Sequence, residues 1–173
     1  MKGGEANMPG MNMDNFHADI PTIIPRKIIQ VPEFCRSWIY EYGDARSNIH
    51  SNHNSSTIYN NDYDRLGVLG EFAFQILTTV VMDSTLNVKG DNYDFLINGW
   101  MIDVKASSYT QPRLYVKQKR LHENYLYVVG YANLEYLTVD FCGWSPGELV
   151  LKNGKYDTSK EQPSYYLESN QLF

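Results

Sequence analysis

An Asn-Gly pair between two strand-like segments constrains the fold of this 173-residue chain more than any other feature. In YDFLINGWMIDVK, apolar and polar residues alternate on both sides of Asn98-Gly99, and Asn-Gly is the strongest short signal for a two-residue type I′ hairpin turn. With these two residues as the loop, Ile97 faces Trp100 and Asp94 faces Asp103. The sequence therefore predicts an antiparallel hairpin in which two carboxylates lie directly opposite each other.

Two facing carboxylates need a compensating positive charge. Facing side chains have Cβ atoms about 4.5–5.5 Å apart, so the like charges of Asp94 and Asp103 would destabilise the pair. A divalent cation such as Mg²⁺ or Mn²⁺ would compensate, because both metals prefer carboxylate oxygens. The strand period of two places Lys105 on the face of Asp103, where its ammonium would lie beside a metal-activated water. The same spacing equally fits a surface ion pair in which Lys105 only bridges the two aspartates.

A long amphipathic helix precedes the hairpin. In DRLGVLGEFAFQILTTVV, apolar residues repeat at spacings of three and four, and Asp62 or Asp64 can cap the first turn. Glu71 interrupts the apolar stretch beside Gly67 and Gly70, which leave a bare helix surface that another backbone or a ligand can approach. Two interpretations of Glu71 follow: its carboxylate reaches solvent, or it faces that bare surface and serves a site.

The other segments predict a mixed α and β domain over residues 25–173, preceded by a flexible arm at 1–24. PEFCRSWIYEYG predicts a short helix that ends at Gly43, and the Asn- and Ser-rich stretch after it predicts a loop. NYLYVVGY and YLTVDFCGW predict two further strands. The tail from Lys152 to Phe173 is consistent with a sheet edge, a lid or a dimer contact.

The charge of the chain is unevenly distributed. The formal net charge is −5, yet the segment QPRLYVKQKR contains four basic residues and no acid: Arg113, Lys117, Lys119 and Arg120. A solvated face of a strand or helix is the simpler interpretation of this segment. The alternative is a local surface for phosphate groups, since the rest of the chain is too acidic for a polyanion.

The sequence argues against a membrane or secreted location. It has no apolar run of about 18 residues and no secretory leader pattern. Cys35 and Cys142 are far apart and form no CxxC motif, so we expect a reducing compartment and a cytoplasmic protein.

The order of a helix glutamate, Glu71, then Asp94, then Asp103-Val104-Lys105 resembles the core of the PD-(D/E)XK nuclease superfamily. The resemblance covers about residues 62–145 and implies a restriction-endonuclease-like α/β core, with a central mixed four-stranded sheet flanked by helices. It implies that the three acids and the main-chain carbonyl of Val104 bind Mg²⁺ or Mn²⁺, and that Lys105 assists the attacking water. Tyr93 departs from the pattern, because it stands where the family name has a proline, a position that takes no part in the chemistry.

This resemblance implies a metal-dependent nuclease, with a DNA endonuclease as the first choice. The order of segments is also similar to small bacteriophage nucleases, which would place the protein in the host cytoplasm. Two alternatives remain: a junction resolvase, which would work as a dimer, and a non-catalytic nucleic-acid-binding or assembly module on the same fold. The tyrosine-rich chain allows a homodimer without requiring one. The residues expected to contact nucleic acid are Arg113, Lys117, Gln118, Lys119 and Arg120.

Overall fold

The computed structural model describes residues 27–53, 61–82, 93–159 and 162–173. The arm predicted for residues 1–24 lies outside this part of the chain. The described helices are α1 (Arg36–His53), α2 (Asn61–Thr78) and α3 (Gly147–Asn153). The described strands are β1 (Ile28–Gln30), β2 (Phe95–Ile97), β3 (Trp100–Ser107), β4 (Leu114–Lys117), β5 (Tyr125–Asn133), β6 (Thr138–Pro146), β7 (Lys155–Asp157) and β8 (Ser164–Leu167).

Five strands form the main mixed sheet, in the order β1-β6-β5-β3-β2. Strands β3 and β5 are parallel, and the other neighbouring strands are antiparallel. The mixed α/β architecture is confirmed, but the prediction of four strands is wrong. The additional strand is β1, whose Ile28 pairs with Asp140 of β6. Three residues are too few to show a period of two in the sequence, and only the pairing with β6 defines them as a strand.

The predicted hairpin is confirmed. Asn98 and Gly99 have φ values of 51° and 84°, as a type I′ turn requires at both central residues. Ile97 pairs with Trp100 in β3, in the predicted register. Alternation then directs the next residues of β3 to opposite faces of the sheet, and Ile102 and Val104 are buried on the predicted core face.

Helices α1 and α2 cover the core face of the main sheet. The prediction that the first helix ends at Gly43 is wrong, since α1 continues to His53 through part of the expected loop. A Cβ atom at Gly43 would lie 2.7 Å from Cγ of Arg65 on α2. Gly43 therefore permits a close crossing of the two helices and does not act as a stop signal, because packing against α2 supports the helix beyond it.

A separate three-stranded sheet, in the order β4-β8-β7, covers the opposite face of the main sheet. Its buried Leu114, Val116 and Leu167 pack in one cluster with Tyr127 and Val129 of β5. In the tail, residues 155–157 and 164–167 form two strands of this sheet, with β7 at its edge and β8 in its centre, so the prediction of a sheet edge holds for β7 alone. No helix in the described ranges is both long and apolar enough to cross a membrane.

Candidate active site

The second half of β3 extends beyond its neighbour β2, and this extension carries Asp103 and Lys105 of the candidate site. Strand β2 pairs with β3 only as far as Ile102. Asp94, the residue before β2, donates its N–H to the Ile102 carbonyl at 2.9 Å. Its carboxylate Oδ2 accepts the main-chain N–H of Val104 at 2.7 Å. The Asp94 side chain thus takes the place of a β2 main-chain acceptor and lies against the strand that carries Asp103 and Lys105.

Helix α2 brings Glu71 to the same place. Gly70 packs against β3, where a Cβ atom would lie 2.8 Å from Cβ of Ala106. The Glu71 side chain is only 9% exposed, so the interpretation that it reaches solvent is wrong. Burial raises the pKa of Glu71, and nearby Asp103 raises it further, although Arg46 opposes both effects. The helix acid and the strand acids therefore share one electrostatic environment.

Asp94 is the most strongly perturbed acid of the group. Burial raises its pKa well above the usual range, and the charges of Glu71 and Asp103 raise it further. Lys105 and the hydrogen bond from Val104 act in the opposite direction. Three carboxylates from α2, β3 and the segment before β2 thus influence one another.

Lys105 forms an ion pair with Asp103 through Nζ and Oδ1. Burial lowers the pKa of Lys105, but Asp103 and Asp94 more than compensate, and the net effect is upward, so the ammonium stays charged. The ion-pair interpretation of Lys105 is therefore correct for Asp103. The pair is partly exposed, because the Lys105 side chain is 39% exposed while the Asp103 side chain is 13% exposed.

Arg46 on α1 is a member of the site that the sequence analysis missed. Its Nη1 donates to Glu71 Oε1 at 2.7 Å and to Oε2 at 2.9 Å. A signal was present, since Arg46 lies two helical turns after the fully buried Ile39, with Gly43 between them. This spacing indicates a shared helix face only if the helix is predicted to continue past Gly43.

A basic turn is linked through Tyr127 to the strand that neighbours Asp103. Residues Gln118–Arg120 form a 3₁₀ turn after β4. Tyr127 of β5 pairs in register with Asp103, and its hydroxyl donates to the Arg120 carbonyl at 2.8 Å. The same hydroxyl accepts the main-chain N–H of His122 at 2.9 Å. Because one tyrosine side chain spans from the strand next to Asp103 to this turn, Lys119 and Arg120 belong to the surroundings of the site.

The other predicted nucleic-acid contacts lie elsewhere, so the basic segment is divided between two surfaces. Arg113 pairs with Glu168 at 2.9 Å and lies over the Tyr166 ring, with Cζ 5.1 Å from its centroid. Alternation along β4 places Lys117 on the same outer face of the second sheet, because Leu114 and Val116 point inward. Gln118 accepts a hydrogen bond from the Tyr156 hydroxyl at 2.8 Å, so it contacts β7 and not the acids.

The donor chemistry of the site fits a hard divalent cation. Four carboxylates (Asp64, Glu71, Asp94 and Asp103) and two cations (Arg46 and Lys105) interact here, which makes a formal charge of −2 when all are ionised. The carbonyl of Val104 points to the same strand edge as its N–H, toward Asp94. Among the described residues, no group of three or more His, Cys, Asp and Glu side chains is arranged to hold a metal ion. Glu71 and Asp103 face Arg46 and Lys105, so metal binding would require these two acids to exchange a partner.

Comparison of the chain with protein-family models, with curated proteins and with solved structures finds no match. The function is therefore inferred from the residues of the site and their geometry.

Proposed function

We propose that this protein is a metal-dependent nuclease that hydrolyses phosphodiester bonds in nucleic acid, with Mg²⁺ or Mn²⁺ as cofactor and DNA as the preferred substrate. The observation that carries this proposal is the convergence of Glu71, Asp94, Asp103 and Lys105 at one edge of β3. These residues come from segments that are separate in the sequence, and they have the acid and lysine order of PD-(D/E)XK nucleases. Buried carboxylates whose pKa values are raised by burial and by neighbouring carboxylates, as those of Glu71 and Asp94 are here, are typical of a functional site.

The carboxylates of Glu71, Asp94 and Asp103, with the Val104 carbonyl, would hold the metal. A bound divalent cation supplies a Lewis acid for the phosphoryl oxygens and lowers the pKa of a coordinated water. Because Asp94 accepts the hydrogen bond from the Val104 N–H, its carboxylate is held against this edge of β3. Lys105 places a positive charge beside Asp103, where it orients the attacking water and stabilises charge that develops on the phosphoryl group.

The basic turn would position the nucleic-acid backbone beside these acids. Phosphate contacts set the orientation of a nucleic acid and carry no sequence information themselves. Lys119 and Arg120 are suited to this role, because Tyr127 ties their turn to the strand that neighbours Asp103. Arg113 and Lys117 lie on the outer face of the second sheet, and they would contact only a substrate that extends past the site.

The decisive experiment compares wild type with Asp103→Asn on five substrates in Mg²⁺ or Mn²⁺. The substrates are supercoiled plasmid, linear duplex, single-stranded DNA, RNA and a four-way junction. We expect wild type to cut at least one of them and Asp103→Asn to be slower by about 100-fold to 1,000-fold, the usual effect of removing an electrostatic contact to the transition state. Asp140→Asn is the control, because Asp140 lies on β6, which β5 separates from β3, and it should cut at the wild-type rate.

The outcomes separate the candidate functions. Fastest cleavage of the four-way junction would identify a resolvase and not a general endonuclease. Retained nucleic-acid binding without cleavage, and without metal uptake in calorimetry, would identify a non-catalytic binding module. Equal rates for wild type and Asp103→Asn would refute the assignment of the site.

A further inference from the structure

Arg46 is held in the site by a contact that uses only part of its guanidinium group. Both hydrogen bonds to Glu71 come from Nη1, so Glu71 does not engage Nε or Nη2. The Arg46 side chain is 28% exposed, whereas that of Glu71 is 9% exposed. The Arg46 side chain is therefore more accessible to solvent than the carboxylate that it contacts.

Arg46 differs from the other arginine that joins helices α1 and α2. Helices α1 and α2 are already joined by a second ion pair, in which Arg65 Nε and Nη2 donate to Asp44 at 2.7 and 2.8 Å. That pair engages both oxygens of its carboxylate through two nitrogens and lies outside the acid cluster. Arg46, in contrast, is influenced by three acids, since Glu71, Asp94 and Asp64 together raise its pKa although burial lowers it.

We propose that Arg46 binds a phosphate oxygen of the nucleic-acid substrate next to the acid cluster, and that Glu71 holds the guanidinium in place until the substrate arrives. This role rests on the proposed function. A planar guanidinium with several parallel donors matches phosphate oxygens better than any other side chain. When Glu71 takes a divalent cation as its partner, the oxygens of a bound phosphate are the acceptors that can replace it for Arg46.

The experiment removes the charge of Arg46 and uses Arg65→Met as a matched control. Arg65→Met also removes one arginine from an ion pair between the same two helices, but away from the acids. Arg46→Met and Arg46→Gln both remove the charge. The glutamine keeps a hydrogen-bond donor for Glu71, so Arg46→Gln should fold even if Arg46→Met does not. Arg46→Lys keeps the charge and loses the planar fork. Thermal unfolding in EDTA establishes that each variant is folded.

The first readout is the affinity for a short labelled DNA, in duplex and single-stranded form, measured over a series of KCl concentrations in Ca²⁺, a hard divalent cation that can take Glu71 as its partner. Loss of one phosphate contact to duplex DNA reduces the slope of log K against log salt by about 0.9. We expect this reduction for Arg46→Met and Arg46→Gln, with binding weaker by about tenfold at low salt. Arg65→Met and Arg46→Lys should keep the wild-type slope.

The second readout is cleavage in Mg²⁺. Arg46→Gln should lower kcat/KM by about tenfold relative to Arg65→Met. If the Arg46 variants match Arg65→Met in salt slope and in kcat/KM while wild type binds and cuts, the role of Arg46 is refuted and the proposed function stands. If wild type neither binds nor cuts any of the nucleic acids, the proposed function itself fails, and the role of Arg46 fails with it.

Discussion

Asp94 differs from Glu71 and Asp103 in the partner that its carboxylate contacts. Arg46 contacts Glu71 and Lys105 contacts Asp103, whereas Asp94 accepts the Val104 N–H. Burial and the two neighbouring carboxylates all raise the pKa of Asp94. The side chain therefore has two separable properties: its charge is unfavourable in the folded protein without a metal, and its hydrogen bond is favourable.

Two substitutions separate these properties. Asp94→Asn removes the charge and keeps an oxygen for the Val104 N–H, so we expect the free energy of unfolding in EDTA to rise by about 1 kcal/mol. Asp94→Ala removes the acceptor as well and should lower the free energy of unfolding by about 1–3 kcal/mol. Urea unfolding in EDTA measures both values. Equal stability of the two variants would show that the contact with Val104 contributes nothing.

At the scale of secondary-structure elements, the position of Glu71 depends on how closely α2 approaches β3. Gly70 faces Ala106 at a distance that leaves no room for a Cβ atom, whereas a Cβ atom at Gly67 would have only Glu71 Oε1 near it, at 4.0 Å. The two glycines are three residues apart in one helix, so they have nearly the same intrinsic helix propensity. Only their surroundings differ.

Alanine at these two positions should therefore have opposite effects. Gly70→Ala pushes α2 away from β3 and should destabilise the fold by about 1–2 kcal/mol, since overpacking outweighs the gain in helix propensity. Gly67→Ala should stabilise it by about 0.5–1 kcal/mol. Chemical denaturation measures both, and cleavage assays should show a larger loss for Gly70→Ala, because Glu71 moves with the helix. A stable and fully active Gly70→Ala variant would contradict the packing described for α2.

At the scale of the whole molecule, β5 joins two hydrophobic clusters. Leu126 and Val128 face the cluster under α1 and α2, while Tyr127 and Val129 face the cluster under the second sheet. Six consecutive residues of β5 are buried, as expected for a central strand that is covered on both faces. The two clusters share this strand, so we expect them to unfold together.

A core substitution far from the acids tests this coupling. Leu167 on β8 is 1% exposed, and Leu167→Ala should cost about 2–5 kcal/mol. Leu151→Ala is the control, because Leu151 on α3 is 43% exposed and should change stability by less than about 0.5 kcal/mol. Tryptophan fluorescence and far-UV circular dichroism should report a single coincident transition for Leu167→Ala. Two separate transitions would show that the clusters are independent.

The features that could be predicted from the amino-acid sequence are those that depend on short-range preferences. The Asn98-Gly99 turn sets the hairpin register, because few residues other than asparagine and glycine adopt positive φ without strain. Helical period defines α2, and apolar strand patterns define β5 and β6. Since register and period also decide which side chains share a face, Asp94, Asp103 and Lys105 could be grouped from the sequence, with Glu71 added through the resemblance to PD-(D/E)XK nucleases.

The features that could not be predicted from the sequence depend on contacts between distant segments. Arg46 enters the site because α1 continues past Gly43, which happens where Arg65 of α2 packs against it. The basic segment is divided between two surfaces because β4 leaves the main sheet and pairs with β8, which is distant in sequence. Strand β1 exists only through its pairing with β6. Dihedral preferences and periodicity act within a few residues, whereas these choices depend on how much surface distant segments bury together.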